Sequence, residues 1–398
     1  MSSTRPLTLA VVAGEQSGQS LAVGLVDRIA AETGAMPHLV GVGGNALKER
    51  GLETVFDPSE IAITGIAPVV KALPRLLLRI RQTAHAIANA RPDAVIFVDS
   101  PDFSHRVARR IREKLAGVPI VKYVAPTVWA WRPERARRMK ATFDRVLAVF
   151  PFEPDIMAAL GGPETHYVGH PLAIDEGLAK AWAGRHEDAA AKTGDGLDLL
   201  VLPGSRRGEV SALLRDFERT LDILQQRGRT FRVHIPTLPY LTDILTRETQ
   251  YWPVQPRITT SVEDKLGAFR VADAALAASG TVILELALAG VPAVSCYRTD
   301  VLIRPFRSMI KTWSAALPNI IADRPIVPEF YDEMIRPGML ARHLETLADA
   351  NSPARAAQMA GFADVRKLME VEMSPGDLAA RVVLDAINGP AGEKAGRT

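Results

Sequence analysis

Four short stretches of the chain place polar side chains directly after apolar runs, the position from which a parallel sheet presents chemistry. In "VIFVDSPDF", Asp99 and Asp102 follow such a run. A carboxylate at the C-terminal end of a strand has an apolar floor and an opening above it, so Asp99 could take a proton from a hydroxyl as a general base. Asp102 reads as the cap of the helix that follows, "FSHRVARRIREKL", which leaves Asp99 for chemistry. In "VLPGSRRGEVSALL" a strand, a loop and a helix succeed one another, with Gly204, Ser205 and Arg206 in the loop. Arg206 could clamp a phosphate bidentately while Gly204 lets the backbone approach; the other reading is a turn with solvated arginines. "AASGTVILELALAGVPAVSCYR" repeats the pattern with Ser279, Gly280 and Thr281, then a helix bearing Glu285 among apolar neighbours. Glu285 lies one helical turn beyond Thr281, near the mouth of that helix, where it suits hydrogen bonds to ribose hydroxyls. The opening stretch, "LAVVAGEQSGQSLAVGL", sets Gly14, Glu15, Ser17 and Gly18 between a strand and a helix. Such a junction favours phosphate through backbone N–H groups and the helix dipole. It is no Walker loop, it lacks the three-glycine spacing of a dinucleotide site, and a tight turn is the alternative.

These loops need elements to hold them. "LTLAVVAG", "HLVGVGG", "DAVIFVD", "PIVKYVAP" and "RVLAVF" are strand candidates in the first 170 residues, and "LDLLVLPG", "FRVHIPT", "DAALAAS" and "VPAVSCY" form a second series. Apolar strands alternating with helical segments imply parallel sheets covered on both faces. The fold expected is α/β, with two doubly wound, Rossmann-like domains facing each other across a cleft. Residues 1–172 form the first and 197–370 the second. The polar, Ala-rich stretch 173–196 connects them, and 371–398 supplies a C-terminal helix packing back on the first domain, then a tail. A phosphate-bearing substrate suits such a cleft.

Composition narrows the function. The chain has 398 residues, 47% hydrophobic and 23% charged, with a net charge of only +3, which does not describe a general polyanion binder; no nucleic acid partner is expected. A single cysteine, Cys296, excludes an intramolecular disulfide and a cysteine-cluster metal site, and reads as buried and inert. The N-terminal apolar stretch is too short for a signal peptide and no run is long enough to span a membrane, so a cytoplasmic protein is expected. From Ile66 to Ile80 an apolar stripe at helical spacing takes in Ile66, Val69, Val70, Leu73, Leu76 and Leu77, with Lys71, Arg75 and Arg79 on an adjoining face. It fits either core packing or an anionic membrane surface, and Pro74 predicts two short helices or a kink. His170 reads as a structural histidine.

With these pieces in place, the chain resembles the lipid-A-disaccharide synthase family, glycosyltransferases of the GT-B fold. The resemblance rests on "AGEQSGQ", "GVGG", "VDSPDF", "YVAPTVWAWRP", "PFEP", "YVGHPL", "LPGSRRGEV", "ASGTVILELAL" and "LPNIIADRPIVPE", in the family's order over nearly the whole length. It implies an inverting transfer of diacylglucosamine from UDP-2,3-diacylglucosamine to 2,3-diacylglucosamine 1-phosphate, giving the lipid A disaccharide 1-phosphate and UDP, with no metal and no cofactor. Asp99 matches the family's proposed base, and Arg206, Glu285 and Asn319 match positions associated with the nucleotide and catalysis. Glu15 joins Asp99 and Asn319 in the catalytic set. Gly14, Ser17, Gly18, Gly204, Ser205, Ser279, Gly280, Thr281 and Arg298 join the binding set. A substrate that lives in the bilayer favours the membrane reading of the 66–81 stripe and a peripheral place on the inner face of the inner membrane. A homodimer stays open. The family's opening loop carries aspartate where this chain has Gln19, and Asp175 falls one residue later than its common spacing. Two other readings remain: another GT-B UDP-sugar enzyme such as an epimerase, and a diverged, non-catalytic protein that binds UDP-sugar or lipid.

Overall fold

The apolar runs become the central strands of two parallel sheets. The computed structural model describes residues 5–61, 66–99, 101–190, 196–299 and 311–389. The chain divides into unit 1, Met1–Pro171 with Val371–Thr398, and unit 2, Leu172–Glu370.

In unit 1 the strands are β1 (Thr8–Ala13), β2 (His38–Val42), β3 (Glu53–Thr54), β4 (Ala94–Val98), β5 (Ile120–Tyr123), β6 (Arg145–Ala148) and β7 (Glu164–Tyr167). Between them run α1 (Gln16–Thr33), α2 (Asn45–Lys48), α3 (Ile66–Ala90), α4 (Pro101–Lys114), α5 (Glu134–Met139) and α6 (Glu153–Ala159). The strand order is β3-β2-β1-β4-β5-β6-β7, all parallel. Order reverses between β1 and β4, and in open sheets of this kind ligands bind beyond the strand ends at that switch point. The central strands β1 and β4 are almost wholly apolar because the sheet is buried on both sides there. Along β1, Ala10 and Val12 enter one core, and Leu9, Val11 and Ala13 the other.

Unit 2 repeats the plan with α7 (Glu176–Ala190), β8 (Leu197–Leu202), α8 (Arg207–Gln226), β9 (Phe231–Pro236), α9 (Thr242–Glu248), β10 (Arg257–Thr259), α10 (Val262–Val271), β11 (Ala274–Ala278), α11 (Thr281–Ala289), β12 (Ala293–Tyr297), α12 (Leu317–Ile321), β13 (Glu329–Tyr331), α13 (Pro337–Ala348) and α14 (Pro353–Leu368). Its order is β10-β9-β8-β11-β12-β13, again parallel, with the switch between β8 and β11. Helix α8 shows the packing logic: Val210, Leu213, Leu214, Phe217, Leu221 and Leu224 recur at helical spacing and are all buried. The chain then supplies α15 (Pro375–Asn388) to unit 1, where Ala379, Ala380 and Val383 join the core beside α1.

Three details differ from the sequence-based expectation. The stretch read from composition as a connection is mostly α7, packed in unit 2 against α10 and α11 with Leu178 and Ala181 buried. Helix α3 runs through Pro74 without dividing, because its packing along α4 and β2 offsets the hydrogen bond that proline removes. Strands β3, β7, β10 and β13 went unread; each is an edge strand of at most four residues, too short for an apolar pattern.

Candidate active site

At the unit 1 switch point Ala13 pairs with Val98, so Gly14 and Asp99 leave the sheet side by side. Asp99 has φ +56, a left-handed conformation uncommon outside glycine. Its backbone is held from three directions. The Asp99 N–H donates to the Tyr123 carbonyl at 3.2 Å. The Asp99 carbonyl accepts from Ser104 Oγ at 2.8 Å and from Lys122 Nζ. Ser104 is fully buried and Lys122 is 1% exposed. Gly18, on the first turn of α1, supplies the other wall: a Cβ there would stand 3.3 Å from Val98 Cγ1 and 3.5 Å from the Asp99 Cβ. The opening loop and the Asp99 turn are therefore in close contact, and glycine permits it. Gln19 lies in the first turn of α1, its amide oxygen against Gly44.

Lys122 escaped the sequence reading. Burial pushes its ammonium down to about 7, while the facing charges of Asp99 and Glu15 oppose that shift. A lone lysine inside the apolar run "PIVKYVAP" was the available signal. Asp102 does not cap α4 but lies within its first turn, paired with Arg135 at 3.0 Å. His105 sits edge-on to Phe143, and burial holds its imidazole down at about 4. His170 stacks on Phe150, also held down at about 4 by burial, as suits a structural histidine.

At the unit 2 switch point, loops following β8 and β11 border a cavity of about 460 Å³. Gly204, Ser205, Arg206, Ser279, Gly280, Thr281 and Glu285 all line it. Gly204 has φ +119, and a Cβ there would meet the Glu209 side chain at 2.6 Å. Glu209 reports what this loop can hold: its Oε2 accepts from the Ser205 N–H at 3.0 Å and the Arg206 N–H at 3.3 Å, and Oε1 meets Arg206 Nη1 at 3.2 Å. Two backbone donors and a guanidinium thus converge on an oxyanion. Gly280 is the N-cap of α11 and provides no side-chain cap, which leaves the positive end of that helix at the cavity. Glu285 forms an ion pair with Lys265 of α10, also on the cavity wall. Lys265 was not singled out from the sequence, because nothing in "SVEDKLGAF" separates it from a solvated lysine.

Asn319 has a different place from the one expected. Its Nδ2 donates to the Val327 carbonyl at 3.0 Å and to Glu329 Oε2 at 3.1 Å, and its Oδ1 accepts from the N–H groups of Ile326 and Val327 at 2.8 and 2.7 Å. The buried amide is saturated by its own protein, so it holds the loop and has no polar atom left for a substrate. Glu329 extends the brace by accepting from the Ala315 and Ala316 N–H groups at 3.0 and 2.9 Å, and Ser279 Oγ donates to the Ala315 carbonyl at 3.3 Å. Arg298 pairs with Asp216 at 2.5 Å and is not among the residues bordering the cavity.

The α3 stripe divides. Leu76 packs against the unit 1 core, whereas Leu73, Leu77 and Leu78 are exposed. Arg79 is bound to Glu60 through two bonds of 3.0 and 2.6 Å and lies over the Phe56 ring, with Arg75 3.8 Å from Glu60. The side chains of Ile66, Val69 and Val70 lie outside the described residues, as does that of Ser17. Among the described residues no helix is long and apolar enough to cross a membrane, and no three His, Cys, Asp or Glu side chains gather as a metal site. Cys296 is buried, and burial pushes its thiol up.

The family model described as lipid-A-disaccharide synthetase matches residues 9–380. The chain belongs to the lipid-A-disaccharide synthase family. Its similarity to named family members spans nearly the whole chain: 42% identity over 379 residues to the lipid-A-disaccharide synthase of Nitrobacter winogradskyi, covering 95% of each chain. Against that of Bradyrhizobium diazoefficiens it is 42% over 378 residues, covering 94% of this chain and 95% of the other. Among solved structures, MurG of Acinetobacter baumannii superposes with a TM-score of 0.58 at 15% identity, over 96% of this chain and all (100%) of that one. The calicheamicin glycosyltransferase CalG4 gives 0.59 at 16%, over 98% and 100%. These likenesses establish the two-Rossmann-domain GT-B fold. As a member of the lipid-A-disaccharide synthase family, the protein is a hexosyltransferase that forms the disaccharide of lipid A biosynthesis.

Proposed function

We propose that the protein transfers the diacylglucosaminyl group of UDP-2,3-diacylglucosamine to the 6-hydroxyl of 2,3-diacylglucosamine 1-phosphate, with inversion at the anomeric carbon. The observation that carries this reading is the division of chemistry between the two switch points. Unit 1 presents a carboxylate, Asp99, on a braced turn. Unit 2 presents donors that already gather around an oxyanion.

In this reading Asp99 accepts the proton of the 6-hydroxyl as that oxygen bonds to the anomeric carbon. The bond from that carbon to the UDP oxygen breaks, and its electron pair leaves with the diphosphate. The Ser205 and Arg206 N–H groups, the Arg206 guanidinium and the N-terminus of α11 are donors suited to that developing charge, a diphosphate oxygen taking the place Glu209 now fills. Glu285, held by Lys265, accepts from ribose hydroxyls.

Both substrates carry acyl chains, so the protein works at a lipid surface, and the inner face of the inner membrane is where we place it. Support comes from exposed Leu73, Leu77 and Leu78 on α3. Purified protein incubated with both substrates should yield the disaccharide 1-phosphate and equimolar UDP by mass spectrometry. UDP binding with no disaccharide would instead mark a non-catalytic nucleotide-sugar binder.

A further inference from the structure

Lys122 sits where a parallel sheet would ordinarily take valine or isoleucine. It occupies the middle of β5, in register with Phe97 on one side and Val146 on the other. Period-two alternation puts it on the same face as Ile120, which belongs to the apolar core with Phe97 and Val146. An ammonium there is retained against a large desolvation penalty unless it is paired and hydrogen-bonded. It reaches the end of the neighbouring strand, where its Nζ donates to the carbonyl of Asp99.

We propose that Lys122 is a positioning residue for catalysis, its charged ammonium pinning the Asp99 carbonyl and so holding the left-handed turn that aims the Asp99 carboxylate. The proposal rests on the reading of Asp99 as the base. Three observations support it. The φ of Asp99 is one that persists only when its surroundings over-determine it. Two side chains, Lys122 and Ser104, donate to its carbonyl, and both are buried. The charges that act on Lys122 are the carboxylates of Asp99, after β4, and Glu15, after β1. From α4, His105 faces it, and the charge of Lys122 helps hold that imidazole neutral; Asp102 and Arg135 act on His105 in turn. Packing alone gives no reason for the charge, since methionine would fill the same volume and Ser104 would still serve the carbonyl.

The ammonium also sets a pH dependence. With its ionisation pushed down to about 7, Lys122 loses its charge within the working range, and the charge-assisted bond to Asp99 weakens as it does. Lys122→Met should therefore lower kcat about tenfold or more near pH 6, the scale of a misplaced catalytic group, with KM for both substrates within about twofold. The deficit should narrow at about pH 8 and above, where the parent's lysine is itself neutral. Lys122→Arg, which stays charged, should keep its activity through that alkaline range. A filler role would give a deficit independent of pH. A folded Lys122→Met enzyme with the parent's kcat at every pH, or with a constant deficit, overturns the proposal.

Asp99→Asn assayed beside these variants separates the two claims. If it is inactive while Lys122→Met behaves as the parent, the base reading stands and this inference alone falls. If Asp99→Asn turns over normally, the base reading fails and takes this inference with it. Should neither Lys122 variant fold, the parent labelled with 15N-lysine decides. One Nζ should titrate near neutral pH, and its midpoint should fall when Asp99→Asn removes the facing negative charge. A lysine titration that ignores Asp99→Asn overturns the proposal.

Discussion

Lys265 on α10 and Glu285 on α11 form an ion pair on the wall of the unit 2 cavity, which fixes a carboxylate beside the open end of α11. That arrangement ties the nucleotide reading to measurable affinities. Arg206→Ala and Glu285→Ala should each weaken UDP binding by about 1 to 3 kcal/mol, the range for a lost charged hydrogen bond. Titration calorimetry reads this directly. Unchanged affinity in both variants would place the nucleotide elsewhere.

Asn319 should prove to be a brace. Asn319→Ala strands the N–H groups of Ile326 and Val327 and removes a donor from Glu329. Unfolding in urea should reveal a loss of about 2 to 4 kcal/mol, since buried partners left unsatisfied pay their desolvation in full. A variant as stable as the parent but without turnover would restore the catalytic role that family resemblance suggested.

For the membrane, the relevant residues are the exposed ones. Replacing Leu73, Leu77 and Leu78 with serine should reduce co-sedimentation with anionic vesicles, since each buried leucine is worth roughly 1.5 to 3 kcal/mol of transfer. UDP affinity and melting temperature should stay as in the parent. Vesicle binding that survives the triple change would move the contact away from α3. Arg79 should matter to stability and not to vesicles, because Glu60 already holds it.

Lys122 also makes a prediction about stability, with a definite sign. Its ionisation is lowered in the folded protein from 10.5 to about 7, so between those values the unfolded chain binds more protons. Stability of the parent should therefore rise with pH across that window, and the burden of the buried charge is fully present below it. Lys122→Met lacks this slope. The stability difference between variant and parent should change by a few kcal/mol between about pH 7 and pH 10, because one proton bound in the unfolded chain alone is worth roughly 1.4 kcal/mol for every step of one in pH. Parallel pH profiles for the two proteins would mean that folding does not lower the ionisation of the lysine.

Much of this site is legible in the amino-acid order, because a strand followed by a small-residue loop and a helix is a strong local signal. Asp99, Gly204, Arg206, Ser279 and Glu285 all sit in such junctions, and the two sheet orders bring those junctions to the switch points. What is not legible depends on side chains meeting across elements. Lys265 looks like any surface lysine until α10 lies against α11. The saturation of Asn319 requires the turn at 326–327 and the strand bearing Glu329 to close on it. Arg298 follows the quoted helix and strand closely in sequence yet faces Asp216 of α8. The Ala-rich polarity of 176–190 read as a connection because a helix with a narrow buried face resembles a linker in composition.

The division of labour between Asp99 and the UDP cavity is tested most directly by Asp99→Ala, with turnover and UDP affinity measured on the same folded sample. Loss of a general base should lower kcat by about 100-fold or more, while the dissociation constant for UDP stays within about twofold of the parent, because every donor proposed for UDP lies in unit 2. Near-parental turnover in that variant would contradict the assignment of Asp99 as the base.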